Sequence, residues 1–360
     1  MDARADSIEY GGPLGPAARD VAPALLDWYD AHARVLPWRA GPGANAQDPY
    51  RVWLSEVMLQ QTTVAAVIPY FARFTARWPT VEALAAAPEA DVMAAWAGLG
   101  YYSRARKLIE CAREVAAMGA FPDHEAGLRA LPGLGPYTAA AVAAIAFGRR
   151  AVVVDANVER VVARLFAISS PLPGGRAEIR AATDRVTPDL RCGDFAQGLM
   201  DLGATVCTTR NAKCLLCPLA DLCAARATGT PEAYPVKPPK LAKPERRGRA
   251  FWIMRSGAAG DEVWLVRRGA GGMLGGMRAL PDDGWTVRGD GGGHAPIPAN
   301  WAVAGVVRHV FTHFVLHLEI AVARLPASAS VPGEGAWWPL ARLEEAGLPT
   351  LFARAAALVR

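Results

Sequence analysis

The chain has 360 residues with 52% hydrophobic content, a formal net charge of +5 and a pI near 9.0. That length predicts two domains, because single hydrophobic cores rarely grow beyond about 250–300 residues, and the apolar content excludes a disordered chain. No apolar run approaches the roughly 18 residues of a membrane span, and residues 1–16 lack a signal-type apolar core. We therefore expect a cytoplasmic protein whose mild basicity suits a polyanionic partner.

Apolar residues recur at helical spacing throughout residues 17–228, which predicts an all-α domain. The clearest helical patterns cover residues 25–28, 50–71, 104–118 and 136–147. Glu56 lies in the second of them, within the segment SEVMLQQT. A lone glutamate in a helix is usually solvated, but Trp53, Val57 and Leu59 make this helix apolar around most of its circumference. We expect Glu56 to face an interior or a cleft, where burial raises the pKa of a carboxyl group and suits a general acid.

Residues 131–135, LPGLG, lie between two helical patterns and predict a tight inter-helix turn. Gly133 and Gly135 permit the positive φ angles and close backbone approach that such a turn needs, and Pro136 suits the first turn of the next helix. Backbone amides exposed there can bind a phosphate without reading sequence. On its own, this pattern leaves open both an ordinary αα-hairpin and a DNA-binding hairpin at about residues 128–147.

Asp155 follows the apolar residues 152–154 and precedes a helix that begins near Asn157. This position predicts a helix N-cap, which is a common role of aspartate. A capping carboxylate is held rigidly and can stay ionised, so it can also stabilise a positive charge that develops in a transition state. The capping role and the electrostatic role are therefore compatible.

Four of the six cysteines lie within 17 residues, in the spacing C-x6-C-x2-C-x5-C: Cys207, Cys214, Cys217 and Cys223. Thiolates at such short spacing converge on one metal centre, whose binding supplies folding energy to a segment too small for its own core. Structural four-cysteine zinc sites usually have two C-x2-C pairs, and this segment has one. The spacing therefore favours an iron–sulfur cluster and leaves zinc as the alternative.

Residues 229–249 contain five prolines among six basic residues, which predicts a semi-rigid extended linker. Beyond it the pattern changes to runs that are rich in Val, Trp and Phe and tend to alternate. These runs predict strands at residues 251–255, 263–267 and 302–323. Residues 349–360 predict a closing helix. Residues 250–360 are thus expected to form a smaller α/β domain.

The SEVMLQQT helix, the LPGLG hairpin and the cysteine spacing together resemble the helix-hairpin-helix DNA glycosylases of the endonuclease III and MutY group, over nearly all of residues 20–228. Residues 250–360 resemble, with lower specificity, the Nudix-like domain with which MutY-type enzymes recognise 8-oxoguanine. The resemblance implies a glycosylase domain at 17–228 with a single [4Fe-4S] cluster in the loop 207–223. Residues 275–283 lack the glutamates with which Nudix hydrolases hold metal ions, so hydrolase activity is not expected.

Position 137 separates the members of this group. Endonuclease III-type enzymes carry a lysine there that attacks the sugar and cleaves the strand, whereas this chain has Tyr137, and a Schiff base requires an amine. The resemblance therefore implies a monofunctional adenine DNA glycosylase, a nucleoid-associated monomer that excises adenine opposite 8-oxoguanine or guanine in double-stranded DNA. The alternatives are an endonuclease III-like glycosylase and abasic-site lyase, and a non-catalytic iron–sulfur DNA-binding protein.

The resemblance also assigns chemical roles. Glu56 would protonate adenine N7 and later activate the attacking water. Asp155 would stabilise or transiently capture the sugar, with Asn157 and Tyr137 positioned around it. The family usually reads Asp-Gly-Asn where this chain has Asp155-Ala156-Asn157, a departure that keeps both functional side chains.

By the same resemblance, the adenine leaves the duplex and enters a pocket. Gln197 would read the base edge, and the pocket walls would be Arg34, Trp38, Arg39 and Leu59. The resemblance also implies DNA contacts. Two side chains would wedge into the base stack, Gln61 and Tyr101, and the hairpin glycines, Gly133 and Gly135, would contact phosphate, as would two basic residues of the cysteine loop, Arg210 and Lys213. A loop that resembles the family's Phe-Ser-His would contact the lesion: Phe311, Thr312 and His313. Thr312 keeps the hydroxyl group of the family's serine and adds a methyl group.

Overall fold

A computed structural model describes residues 18–44, 47–239, 242–258, 260–269 and 273–360. Residues 1–16, for which we expect no signal-type core, lie outside this description, as do residues 240–241 of the predicted linker. The chain forms two compact units, which we call the first and the second unit. The first comprises Met1–Gln60 and Met118–Pro239, and the second comprises Gln61–Ala117 and Lys240–Arg360.

Helices dominate the described residues up to residue 228, as predicted. In chain order they are α1 (Ala18–His32), α2 (Pro49–Leu59), α3 (Val64–Arg77), α4 (Val81–Ala85), α5 (Glu89–Trp96), α6 (Ser103–Met118), α7 (Glu125–Ala130), α8 (Pro136–Phe147), α9 (Ala156–Leu165), α10 (Arg176–Val186), α11 (Cys192–Thr205), α12 (Ala224–Ala227) and α13 (Thr350–Val359). Short 3-10 helices span Cys214–Leu216, Ala220–Leu222, Pro231–Ala233 and Leu340–Ala346. The predicted helix at 136–147 coincides with α8.

Helix α8 organises the first unit, because it is buried without interruption from Thr138 to Ala146. Its alanine-rich sequence allows α2, α7 and α11 to pack closely against it. Helix α11 approaches α8 closely at Gly193, where an added Cβ would lie 2.5 Å from the carbonyl oxygen of Ala144. This packing brings one face of α2, the N-terminus of α8 and one face of α11 into the same region of the unit.

The described part of the second unit contains a mixed sheet of six strands. They are β1 (Glu245–Gly257), β2 (Gly260–Arg267), β3 (Arg278–Ala279), β4 (Ala302–Val310), β5 (Val315–Leu325) and β6 (Gly335–Pro339). Their order is β3-β2-β1-β5-β4, with β6 also paired to β2. The pair β1–β5 is parallel and the other pairs are antiparallel. Alternation along β1 places Trp252 in the core with Phe352 of α13, and Phe251 and Ile253 in a second core.

The structure confirms the mixed α/β character of the second half and corrects the end of the predicted linker. Strand β1 begins at Glu245, inside the residues 229–249 assigned to the linker, and its first residues pair with β5 from Val315 onward. Charged side chains conceal this part of the strand in the sequence, because pairing uses the backbone rather than apolar side chains. No helix among the described residues is both long and apolar enough to cross a membrane.

Candidate active site and cysteine centre

Glu56 on α2 is buried, with 6% of its surface exposed, as the apolar helix predicts. The hydroxyl group of Tyr137 donates a hydrogen bond of 2.6 Å to its Oε2 atom. Burial raises the pKa of Glu56 to about 7, and the charge of Asp155 acts in the same direction. The hydrogen bond from Tyr137 and the charge of Arg39 act against this shift. Glu56 is therefore a carboxyl group that exchanges its proton near neutral pH.

Tyr137 is the second residue of α8 and follows the predicted hairpin. Burial, with the carboxylates of Glu56 and Asp155 nearby, raises its pKa well above the ordinary value. The phenol therefore stays protonated at neutral pH and acts as a hydrogen-bond donor toward Glu56. The side chain at position 137, next to the buried carboxyl group, is thus a hydroxyl donor and not an amine.

The hairpin is expected to need positive φ angles at its glycines, and one of the two glycines has such an angle. Gly133 has φ of 78° and requires a residue without Cβ, whereas Gly135 has an extended backbone with φ of −78°. An added Cβ at Gly135 would meet no atom within 4 Å. The glycine at this position therefore leaves the start of α8 accessible rather than serving a left-handed turn.

Asp155 is the N-cap of α9, which confirms the predicted cap. One oxygen of its carboxylate accepts from the backbone N–H groups of Asn157, at 2.8 Å, and Val158, at 2.7 Å. The other oxygen accepts from the side-chain amide of Asn157 at 2.8 Å, and that amide oxygen accepts in turn from Arg160 at 3.0 Å. Ala156 does not adopt a positive φ, so its methyl group fits where the family usually has glycine. Asp155 is thus held rigidly by three donors.

The sequence did not single out Asp201, which holds two of the predicted pocket residues. Its side chain is completely buried and accepts from Arg34 at 2.6 Å and from Arg39 at 2.7 Å. The backbone N–H of Arg34 also donates to it, at 3.0 Å. Asp201 lies four residues after Gln197 on the same face of α11. An aspartate inside a helix as apolar as α11 was the available signal, since a buried carboxylate needs a cation.

Gln197 is 1% exposed, and its side-chain Nε2 donates to the carbonyl of Gly193 at 3.4 Å. Its Oε1 atom is buried and has no hydrogen-bond partner among the described residues. Trp38 is buried in the segment that connects α1 to α2, and Leu59 is half-buried at the end of α2. An unsatisfied buried acceptor is costly and suits a ligand that brings an N–H group.

The other predicted DNA contacts lie at loops. Gln61 and Tyr101 belong to the second unit and both have positive φ, of 58° and 50°. Residues 311–313 form the turn between β4 and β5, where the ring of Phe311 stacks on that of Phe314 and His313 is exposed. The hydroxyl groups of Thr312 and Tyr101 are 3.0 Å apart.

The four cysteines follow α11 and surround the first two of the short 3-10 helices. Burial raises the pKa of Cys217 to about 12, and the charges of Cys207, Cys223 and Cys214 act in the same direction. The thiol of Cys217 therefore lies within electrostatic range of the other three. Among the described residues, no three His, Cys, Asp or Glu side chains meet closely enough to hold a single ion. A [4Fe-4S] cluster does not require this, because it binds its four thiolates through separate irons.

Arg164 supports this cysteine group from α9. Arg164 is 1% exposed, and its guanidinium donates to Cys207 Sγ at 3.3 Å and to the carbonyl of Thr208 at 2.7 Å. The guanidinium of Arg164 thus supplies a buried hydrogen-bond donor to the sulfur of Cys207. The chemistry of this donor set, four cysteines in one loop with an adjacent guanidinium, suits an iron–sulfur cluster. Arg210 and Lys213 are exposed within the same loop.

Two family models match the chain. The model described as "HhH-GPD superfamily base excision DNA repair protein" matches residues 54–183, and that of the NUDIX domain matches residues 250–358. The first range contains Glu56, Tyr137 and Asp155.

Known proteins give the same result. A human adenine DNA glycosylase is 36% identical over an alignment of 317 residues that covers 73% of this chain and 57% of that protein, so the chain spans little more than half of this relative. A solved thermostable thymine-DNA glycosylase superposes with a TM-score of 0.51 at 29% identity, covering 59% of this chain and 97% of the other. The adenine DNA glycosylase of Buchnera aphidicola is 31% identical over an alignment of 342 residues that covers 90% of this chain and 93% of that protein. With similarity over nearly the full length of this relative, the chain belongs to the adenine DNA glycosylase family.

Proposed function

We propose that this protein is a monofunctional adenine DNA glycosylase of base-excision repair. It removes adenine mispaired with 8-oxoguanine or guanine in double-stranded DNA by hydrolysing the N-glycosidic bond. The observation that carries this proposal is the hydrogen bond of 2.6 Å from Tyr137 to the buried Glu56. It pairs a carboxylic acid suited to protonating a base with a hydroxyl group that cannot form a Schiff base.

The two carboxyl groups divide the chemistry. Because its pKa is about 7, a substantial fraction of Glu56 carries a proton at neutral pH and can donate it to N7 of the flipped adenine. The C1′–N9 bond then breaks and adenine takes the bonding electrons. Asp155, fixed at the N-terminus of α9, stabilises the positive charge left on the sugar. The Glu56 carboxylate then accepts a proton from the water that attacks the sugar.

The pocket residues select the base. Oε1 of Gln197 is a buried acceptor without a partner, which suits the exocyclic amino group of adenine. Asp201 binds both Arg34 and Arg39 and so fixes the two guanidinium groups at the pocket. Trp38 and Leu59 supply apolar walls beside them.

We further propose that the protein holds one [4Fe-4S] cluster through Cys207, Cys214, Cys217 and Cys223. The cluster would supply folding energy to a loop that has only short helices of its own. Arg210 and Lys213 would then bind phosphate from this ordered loop, as would the backbone amides at Gly133 and Gly135. We place the protein in the cytoplasm with the nucleoid and expect it to act as a monomer.

In the second unit, Gln61 and Tyr101 are the residues that we propose to enter the base stack, and Phe311, Thr312 and His313 are the loop that contacts the lesion. The bond between the hydroxyl groups of Tyr101 and Thr312 supports this assignment, because it places the two groups side by side. The same unit would thus both part the bases and examine the purine opposite the target.

The proposal is tested on duplexes that carry A:8-oxoguanine, A:G, A:T or thymine glycol. We expect adenine release from the first two, with strand breaks only after alkali and no adduct trapped by borohydride, because Tyr137 offers no amine. Alkali-independent breaks with stoichiometric trapping would instead indicate an endonuclease III-like lyase. Tight binding of all four duplexes without release of any base would indicate a non-catalytic DNA-binding protein.

The cluster is tested by metal content. Protein produced with iron available should contain about four irons per chain, and Cys217→Ser should lower this to near zero and reduce the unfolding temperature. Cys192→Ser is the matched control, because Cys192 is buried outside the loop and its thiol donates to the carbonyl of Arg149 at 3.2 Å. It should keep its iron. Stoichiometric zinc in the unaltered protein would contradict the assignment.

A further inference from the structure

Arg104 connects two loops of the second unit that carry proposed DNA contacts. It lies in the first turn of α6. Its Nη2 atom is within hydrogen-bonding distance of three acceptors: Thr62 Oγ1 at 3.2 Å, the carbonyl of Leu99 at 3.2 Å and the carbonyl of Gly100 at 3.3 Å. Thr62 directly follows Gln61, and Gly100 directly precedes Tyr101. One guanidinium therefore contacts the neighbour of each proposed stacking residue.

The backbone conformations of Gln61 and Tyr101 need stabilising contacts from other residues. Gln61 and Tyr101 have left-handed backbone, with φ of 58° and 50°, although each carries a Cβ. This conformation is disfavoured for residues other than glycine and persists only when surrounding contacts determine it. The contacts of Arg104 to Thr62 and to Gly100 are adjacent to the two strained positions.

The aromatic surroundings of Arg104 involve the same loop. Its guanidinium carbon lies 5.3 Å from the ring centroid of Trp96 and 5.5 Å from that of Tyr101. The indole N–H of Trp96 also donates to the carbonyl of Gly100 at 3.1 Å. Trp96 and Arg104 thus hold Gly100 from two directions, and the ring of Tyr101 adjoins the cation.

Arg104 occupies a position that is unfavourable for a positive charge. It is half-buried, and burial lowers its pKa to about 10. It also lies at the N-terminus of a helix, where the helix dipole repels cations. Packing near the face of Trp96 offsets part of this cost. Arg104 therefore does not stabilise α6 by its charge. Its presence is explained by the hydrogen-bond acceptors in the two loops that it connects.

The connection continues into the turn between β4 and β5. The hydroxyl group of Tyr101 bonds with that of Thr312, at 3.0 Å, across 211 residues of sequence. That turn is anchored by the stacking of Phe311 on Phe314 and by Lys243, which donates to the carbonyl of Phe311 at 2.8 Å. Three separate segments are therefore joined through Arg104 and Tyr101.

We propose that Arg104 is a positioning residue that assembles the surface reading the strand opposite the target adenine. It holds Gln61 and Tyr101 at a set spacing before DNA binds and, through Tyr101, sets the place of Thr312. The inference rests on the proposed function, because it takes these three residues as the contacts to the opposite strand.

The test uses the full chain with Arg104→Lys, which keeps the charge and loses the planar fork that spans two loops. Single-turnover excision from A:8-oxoguanine and A:G measures the preference for the lesion, which we expect to fall about tenfold. A 2-aminopurine placed beside 8-oxoguanine, with enzyme in the Glu56→Gln background, measures unstacking. We expect its fluorescence rise on binding to shrink by at least half, with the unfolding temperature nearly unchanged.

Three further variants separate positioning from folding. Arg113→Lys changes an exposed arginine of the same helix and should leave both measurements unchanged. Thr62→Val removes one acceptor and should give a smaller loss in the same direction. In a Tyr101→Ala background, Arg104→Lys should cost far less of the lesion preference than it does alone, because residues that act through one another are not additive.

The outcomes are distinguishable. Unchanged lesion preference and fluorescence in Arg104→Lys would overturn the inference while leaving the adenine glycosylase proposal standing. Equal losses on both substrates that follow a lowered unfolding temperature would also overturn it, since they indicate a structural role only. If the unaltered protein released no adenine, the proposed function would fail, and the fluorescence measurement would still decide whether Arg104 positions the stacking residues.

Discussion

Glu56→Gln is expected to lower the rate of adenine release by about 10²–10⁴-fold while duplex binding survives. The substitution keeps the size of the side chain and can still accept the hydrogen bond from Tyr137, but it has no proton to donate. The measurement is single-turnover release from A:8-oxoguanine together with the dissociation constant for the same duplex. Glu114→Gln is the control, because Glu114 is an exposed glutamate in the chain. Near-normal turnover in Glu56→Gln would rule out its role as the acid.

The pKa of Glu56 also sets the sign of the pH dependence. With a pKa of about 7, the acid form is lost as the pH rises through neutrality, so the rate of release should fall above about pH 7.

The free energy of unfolding should also depend on the protonation state of Glu56. Below its ordinary pKa of 4.5 both folded and unfolded states bind the proton, whereas above about 7 folding must bury a charged carboxylate. Glu56→Gln should therefore stabilise the fold at pH 8, by about 3 kcal/mol at most, and this gain should vanish near pH 4.

Asp155→Asn is expected to lower adenine release by about 10²–10³-fold with little loss of stability. Asparagine is as good an N-cap as aspartate, so its amide oxygen can still accept from the N–H groups of Asn157 and Val158. It cannot provide the negative charge that opposes the charge on the sugar. The side-chain bond from Asn157 would be lost, which should cost roughly 1 kcal/mol in the free energy of unfolding.

Asp155→Ala is the companion variant, since it removes both the charge and the cap. It should match Asp155→Asn in activity and be less stable than it by about 1 kcal/mol. Thermal unfolding and single-turnover release, measured on both variants, separate the two roles. If Asp155→Asn kept full activity while Asp155→Ala lost it, the residue would act only as a helix cap.

Local chemistry of the chain determined a large part of this protein. The bounds of α8, the burial of Glu56 and the N-cap at Asp155 all follow from helical periodicity and capping within a few residues. The cysteine spacing predicts one shared metal centre, and this stays a prediction. The start of β1 at Glu245 did not follow, because charged residues conceal a strand that is stabilised by backbone pairing with β5.

Only the tertiary structure decided which distant residues become partners. Asp201 binds Arg34 across 167 residues, and Tyr101 bonds with Thr312 across 211 residues. Arg104 in turn links the loop at Thr62 to the loop at Gly100. Periodicity states which face of a helix is buried, but a buried charge can satisfy its need for a partner with any suitable group that the fold brings near. Packing of α11 and α6 against their neighbours makes that choice, and no local pattern of the sequence contains it.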